Sequence, residues 1–579
     1  MGGDKAVEYY RRAIDFAAVL AAGLLLLRIF AICDTVGIRL NHDEAEHLHV
    51  AFALERGERP YLDFIENHPM LFNLAIVAVK HAFGPDTVLG LHMLLRLFVL
   101  FAFLGCVYFI YRICADYGRE AGGSFRASSL LLLVFMFFGI LPEANSYLWD
   151  VRPDWFCYVL SLACIYTHFR AHARPTRHWT PGTYVRLAIG GVAGGLATAV
   201  LPKSIHVFAP YAIVLGIAFG RQLKAHTLDM RRLLLGNLLF LSGGILGLVA
   251  AIAWELSMTG ATLEIYYAAN FVINRTLHPV ASMQYTPLGQ LLVFTRGDIG
   301  ILLISLVASV LLLLPALRNG FDVESYMLVF GLSLVGFNTF LLSATNGAYW
   351  IHNFAPSLMG LLVVGFMLLH RLLVWLSRAD RKLLTLPVLR YPTRSARVPV
   401  GYLAALLIVV WGGFSFAVRA GDAIDDLNNL RASRALRASL SNGQTAEFPT
   451  DRLLPADLTY LVFDVRSMPL RARHWGYYFM LGPDRGFWSD IHALGIGPDA
   501  GTYWKDLFAL APPDAVLVQD TKDGFARVRE RLLDNQGVDI AWLADFLKRD
   551  YVCFSQTVVT VFVRSELQSR FSGPKWKRC

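Results

Sequence analysis

Charge is scarce in this chain. Only 17% of its 579 residues are Asp, Glu, Lys or Arg, while 55% are hydrophobic. Soluble globular proteins carry about a quarter charged residues, so the scarcity excludes a wholly soluble protein. It predicts a polytopic α-helical membrane protein, each crossing taking roughly 20 apolar residues. Cysteine is sparse too. Of seven, Cys33, Cys106, Cys114, Cys157 and Cys164 lie in or beside apolar runs, and only Cys553 and Cys579 in polar sequence. Without CxxC spacing or a metal knuckle they supply neither a disulfide framework nor a zinc site. The first apolar stretch, Ile14 to Cys33, lacks a small-residue cleavage site and contains Arg28, which predicts a retained anchor. Internal repeats and low-complexity tracts are missing. The net charge of +9 does not indicate nucleic acid as a partner, because the basic residues fall in short loops between apolar runs.

What is present is a succession of apolar runs. Candidate spans lie near 14–34, 88–111, 128–141, 154–169, 186–201, 205–219, 233–256, 298–316, 324–343, 354–373 and 399–417. A further run, Met70 to Phe83, is only about 14 residues long and suits a re-entrant or interfacial helix. If it does not cross, and Lys5, Arg11 and Arg12 are cytoplasmic, the clusters Arg112/Arg119/Arg126, Arg170/Arg174/Arg177, Arg221/Lys224/Arg231/Arg232 and Arg371 to Arg397 all face the cytoplasm. A full crossing would turn most of them outward. The positive-inside rule therefore favours about 11 transmembrane helices plus one re-entrant piece. Asn41 to Pro69, Glu143 to Asp154, Ser257 to Asp298, Thr345 to Asn353 and everything after Val418 are then outside.

Two domains follow: a transmembrane module over 1–417, whose first external loop is 35–87, and a tail over 418–579. The tail has strand-like runs at Tyr460 to Phe463, Ala515 to Val518 and Val558 to Val563. Helical stretches, Arg527 to Leu533 and Ile540 to Arg549, lie between the later strands, with Gly, Pro and Asp in the gaps. That pattern predicts a small soluble α/β domain outside the membrane.

The densest concentration of ionisable residues is NHDEAEHLHVAFALERGERPYLDFIENHP, Asn41 to Pro69. Such groups beside lipid are costly and usually serve chemistry or transport. Read as a helix, DEAEHLHVA puts Asp43, Glu46, His47 and Val50 on one face, with Glu44 and Leu48 to the side. The pattern equally fits a solvated amphipathic loop helix. A divalent metal is possible but not indicated: H-x-x-x-H pairing is missing, and His47 and His49 are not on one face. Trp149 to Asp154 is a second acidic site. Pro153 suits a helix opening and Asp154 its first turn, where the helix dipole favours a carboxylate, so a plain helix start explains it as well. Lys203 stands alone between two apolar runs on the outer side, where basic residues are disfavoured; it answers either an anion or the need to snorkel. His68 and His352 are also outward.

In this order the motifs resemble the C-type (GT-C) membrane glycosyltransferases, in particular the aminoarabinose-transferase and protein O-mannosyltransferase-like branch. That family carries an acidic pair after its first transmembrane helix, here Asp43-Glu44. A G-x-x-x-Y-x-D segment ending in His/Lys-Pro-Pro-Leu follows, here Gly57 to Asp63, with Tyr61, and then His68-Pro69-Met70-Leu71. Met70 stands where the family has its second proline. Arg96, Asp154 (Asp150 is the other register) and Lys203 match later family positions, and Tyr349 to Pro356 loosely matches a late Tyr-x-x-Pro element.

The resemblance implies an enzyme of the bacterial inner membrane that moves a sugar from a polyprenyl-phosphate donor to an acceptor hydroxyl at the extracytoplasmic face, with inversion. The acceptor is a glycan, lipid or protein. A phosphate leaves without protonation, so one carboxylate base suffices where a glycosidase uses two carboxyl groups. Asp43 or Glu44 is that base. Lys203, Arg152, His68 and His352 are the cations for the phosphate. Asp154, Glu46, His47, Tyr61, Tyr267 and Arg275 are candidates to contact substrate, the last two in an external loop covering the donor. No cofactor is implied. Asn274-Arg-Thr276 is a glycosylation sequon, meaningful only in a eukaryotic secretory pathway. The alternative from another class is a transporter or flippase for a lipid-linked or anionic substrate, with a path through Asp154, Lys203 and the outer acids.

Overall fold

The computed structural model describes residues 42–55, 57, 59–62, 66, 68–84, 88–120, 150–172, 179–224, 230–273, 323–344, most of 355–367, 383–388, 391–399, 453–455, 512, 514–518, 541–556, 559–571 and 577–578. Expected spans at 14–34, 128–141, 298–316 and 399–417 lie outside these residues, as do His352, Arg275, the sequon and the Tyr460 strand. The helices, in order, are α1 His42–Glu55, α2 Leu71–Phe83, α3 Val88–Glu120, α4 Asp154–His172, α5 Pro181–Val200, α6 Ile205–Lys224, α7 Met230–Thr259, α8 Leu263–Tyr267, α9 Val323–Ala344 and, in the tail, α10 Ala541–Asp550. Among the described residues four stretches are long and apolar enough to cross a membrane: Gly90–Cys114, Pro181–Val200, Pro202–Gly220 and Leu233–Thr259. The expected spans at 154–169 and 324–343 are helical as α4 and α9. The short run forms α2, 13 residues ending at Gly84, whose φ of 53° gives it a left-handed C-cap. Its length, about 20 Å at 1.5 Å per residue, falls short of the roughly 30 Å hydrocarbon core.

Small residues decide how the helices meet. Along α5, Gly191 and Gly195 lie against the backbone of Phe240 and Gly244 on α7, so closely that an added Cβ would overlap the carbonyl oxygens. From the other side, a Cβ on Gly247 would sit 2.7 Å from the Val192 carbonyl oxygen. Between helices in lipid, where no hydrophobic force drives association, such backbone contact is a main source of attraction. Gly194 turns to α4, where a Cβ would stand 2.8 Å from Cys164 Sγ. The core fills the space among α3, α4, α6 and α9 with Phe103, Tyr158, Leu162, Val207 and Phe330, and Trp155 meets Phe103 edge-on at 5.0 Å.

Beyond α9, Leu383–Val388 (β1) and Tyr391–Pro399 (β2) form an antiparallel hairpin with an irregularity at Pro387/Val388. These strands overlap the basic Arg371 to Arg397 segment, for which the sequence suggests no strand. The described tail holds a five-stranded mixed sheet, order β3-β4-β6-β5-β7. Its strands are β3 Leu453–Pro455, β4 Ala515–Val518, β5 Tyr551–Gln556, β6 Val559–Arg564 and β7 Lys577–Arg578. Strand β4, strand β6 and helix α10 fall within a residue of expectation. Strand β5 is additional, and its Cys553 is disulfide-bonded.

Candidate functional site

Polar side chains from segments far apart in sequence converge at one end of the helix bundle. Helix α1 contributes Glu44. Arg96 Nε and Nη2 donate to its Oε1 and Oε2 at 2.9 and 2.6 Å, His92 Nε2 lies 3.0 Å from Oε1, and the backbone N–H of Val151 donates to Oε1 at 2.9 Å. All three side chains are buried. Burial opposes the charge on Glu44, but the Arg96 guanidinium and His92 outweigh it and hold the carboxyl well below the usual carboxylate range. His92 and Arg96 are four residues apart on α3, hence on one face.

This corrects the helical-wheel expectation. His47 and Val50 are buried as expected, but so are Glu44, Leu48 and Ala51, so Glu44 and Leu48 point inward and not to the side. Spacing of i, i+3, i+4, i+7 is the stripe that a helix covering a core must present, and only position 44 meets the Arg96 fork. Asp43 lies in the same turn; its side chain and that of Glu46 are outside the described residues.

Helices α1 and α2 run side by side, tied at His47 Nδ1 to Asn73 Oδ1 (3.0 Å) and again where Lys80 pairs with Glu55. Burial, reinforced by the neighbouring His68, pushes His47 down to about 4. The rings of His47 and His68 are 5.3 Å apart. Glu66 Oε1 accepts from both the backbone N–H and Nδ1 of His68, each at 2.9 Å. A carboxylate only accepts, so Nδ1 carries the proton and Nε2 is the nitrogen that can face a ligand.

The next cluster is Asp154, Arg152 and Lys203. Asp154 opens α4, Arg152 Nε donates to its Oδ2 at 3.1 Å, and Lys203 Nζ lies 3.5 Å from Oδ1. Lys203 occupies the short 3-10 turn Pro202–Ser204 joining α5 to α6. Its side chain keeps 30% exposure, against 7% for Arg152 and 5% for Asp154. The lysine is therefore the more accessible cation of this group; Asp154 holds it, and Arg152 in turn holds Asp154. Three residues on, His206 bonds the Asn338 side chain, and Asn338 Nδ2 donates back to the His206 carbonyl at 3.2 Å, locking α6 to α9.

Tyr61 stands in the loop between α1 and α2 with φ at 67°, in the left-handed region. For a bulky residue this costs roughly 1–3 kcal/mol and persists only where surroundings enforce it. Its hydroxyl donates to Glu255 Oε1 at 2.6 Å and accepts from Asn270 Nδ2 at 3.1 Å. Burial, then the nearby Glu255 carboxylate, raises the pKa of this hydroxyl. Tyr267 is exposed and stacks on Phe271, 5.4 Å between centroids.

The structure thus brings Glu44, His47, Tyr61, His68, Arg152, Asp154 and Lys203 to one end of the bundle. At the other end, Arg112 and Arg170 both donate to the Tyr166 hydroxyl, at 2.9 and 3.4 Å. Sequence reasoning missed His92, Glu66, Asn73, Glu255, His206 and Asn338. Glu255 was findable as a lone acid in an apolar run, which flags function by default. The others carry no local signal. Among the described residues no group of three His, Cys, Asp or Glu side chains could hold a metal ion.

No family model matches the chain, and no curated protein matches it. Among solved structures it is similar to the archaeal oligosaccharyltransferase AglB from Archaeoglobus fulgidus, in complex with an inhibitory peptide and a dolichol-phosphate. The identity is 11% over 96% of this chain and 75% of that one, with a TM-score of 0.46. The apo form of the Archaeoglobus fulgidus oligosaccharyltransferase gives 10% identity, 96% and 74% coverage and a TM-score of 0.47. Arabinosyltransferase EmbB from Mycobacterium smegmatis gives 13%, 88% and 44%, and 0.38. The chain is similar in its path to these oligosaccharyltransferase and arabinosyltransferase structures, and no residue role or substrate is carried across from them.

Proposed function

We propose that this protein is a membrane glycosyltransferase that moves a sugar from a polyprenyl-phosphate donor to an acceptor hydroxyl at the extracytoplasmic face. The observation that carries the reading is the Arg152–Asp154–Lys203 group, a buried carboxylate holding two cations, with Val151, three residues before Asp154, bonded to Glu44 of α1. An anion is what a fixed, half-exposed lysine in such a place suits. Asp43 takes the proton from the acceptor hydroxyl as its oxygen forms the bond to the anomeric carbon. The bond from that carbon to the phosphate oxygen breaks, and its electron pair leaves with the lipid phosphate, whose charge meets Lys203 and, behind it, Arg152. Glu44 is spent on Arg96, so it orients α1 and leaves the proton transfer to its neighbour. His68 Nε2 is a further donor for the phosphate. The gathering of Glu44, His47, His68, Arg152, Asp154 and Lys203 at one end supports transfer over the transporter alternative. The disulfide at Cys553 supports a tail in an oxidising compartment.

The test uses purified protein, a labelled polyprenyl-phosphate sugar, and candidate acceptors. Wild type should consume donor only with an acceptor. Asp43→Asn should lose about 10²–10⁴-fold in rate, and Lys203→Ala about 10²–10³-fold. Full transfer by Asp43→Asn would overturn the base assignment. Donor crossing the bilayer unchanged, without transfer, would establish the transporter.

A further inference from the structure

We infer that Glu255 is a positioning residue that caps α2 from a different helix and binds three segments into one wall of the site. The inference rests on the transferase reading only for its effect on catalysis. Glu255 lies one turn before the end of α7 and is buried. One oxygen, Oε1, accepts the Met70 backbone N–H at 2.9 Å and the Tyr61 hydroxyl at 2.6 Å. Met70 is the N-cap of α2 and brings no side-chain cap of its own. A helix start needs an acceptor, and Glu255 supplies it in trans.

Through Tyr61 the clamp reaches two more segments. The hydroxyl also lies 3.1 Å from the His68 carbonyl oxygen, a second acceptor competing with Glu255 for its one proton, which places the His68 backbone beside the clamp. Asn270 Nδ2 donates to the same hydroxyl and to the Tyr266 carbonyl, and the Tyr266 ring meets Tyr61 edge-on at 6.2 Å. Helix α7, the α1–α2 loop and the 262–273 segment are therefore joined at one carboxylate. The arrangement also accounts for Met70. Proline, which the resembled family's motif would place there, has no N–H to give; methionine keeps the donor that Glu255 uses.

Full-length protein in detergent tests this with two readouts, hydrogen exchange and donor kinetics. Glu255→Leu removes the acceptor, Glu255→Gln keeps an oxygen that can accept both bonds, and Tyr61→Phe removes a single hydroxyl. In Glu255→Leu, exchange in peptides spanning Tyr61–Met70 and Thr262–Ile273 should accelerate together, by roughly tenfold or more. Donor KM should rise by about the same factor, with kcat changed much less. Glu255→Gln should restore both readouts. Tyr61→Phe should loosen Thr262–Ile273 and serves if Glu255→Leu does not fold. Unchanged exchange in both Glu255→Leu and Tyr61→Phe, or a Gln variant as loose as Leu, would overturn the clamp. Exchange needs no activity: loosening in a protein that transfers no sugar keeps the clamp and discards the transferase, and transfer with undisturbed exchange does the reverse.

Discussion

Asp43 and Glu44 are adjacent, and one perturbation separates them. Glu44→Gln keeps one acceptor oxygen and replaces the other with an NH₂ group facing Arg96, which only donates. The guanidinium, 3% exposed, is left as a buried charge with its Glu44 ion pair broken. Breaking one side of such a pair costs about 3–5 kcal/mol. For a chain of 579 residues that is a fall of roughly 2–4 °C in Tm. The sign with pH is determined too. Glu44 ionises in the folded protein well below its ordinary 4.5, so its stabilisation is complete above that pH and lost only as the pH falls through the folded value. A Tm measured at pH 7 contains all of it. Adding Arg96→Met removes the stranded charge and should recover most of the loss, because the uncompensated buried charge is what makes a half-broken pair costly. Thermal unfolding in detergent, followed by tryptophan fluorescence, reads all three proteins. A Glu44→Gln protein that melts with wild type would refute the pairing. One that melts with wild type yet has lost transfer would make Glu44 the base and Asp43 its neighbour.

Two further outcomes are expected. His47 titrates near 4 in the folded protein, against 6.5 when unperturbed. The unfolded chain then binds more protons between those values, so stability falls on acidification from about pH 6.5 to 4, by on the order of 3 kcal/mol. Replacing His47 by Gln should flatten that stretch of the Tm-versus-pH curve, and an unaltered slope would refute the assignment. Gly195→Val places two methyl groups where the Gly244 carbonyl of α7 already lies, so α5 and α7 must separate. It should abolish the monodisperse peak in size-exclusion chromatography, while Gly216→Val, where nothing lies within 4 Å of an added Cβ, should keep it.

Sequence alone determined the parts of this protein that depend on neighbours within a few residues. Apolar runs located α3 to α7 and α9, because hydropathy over about 20 residues is a local quantity. Alternation located β4 and β6, and the Pro-Asp opening located α4. Charge patterning also put the loops carrying Tyr61, Asp154, Lys203 and Asn270 on one face, and in the structure they meet. Tertiary structure alone decided that Glu44 turns inward and which cations it meets. In the sequence Asp43 and Glu44 are interchangeable; Arg96 and His92, on another helix, and the Val151 N–H, over a hundred residues away, select Glu44. Glu255 is likewise a lone acid until Tyr61 and Met70 arrive from residues nearly 200 positions away. Hydrogen bonds and ion pairs act over about 3 Å in space and are indifferent to separation along the chain, so no local pattern could have assigned them.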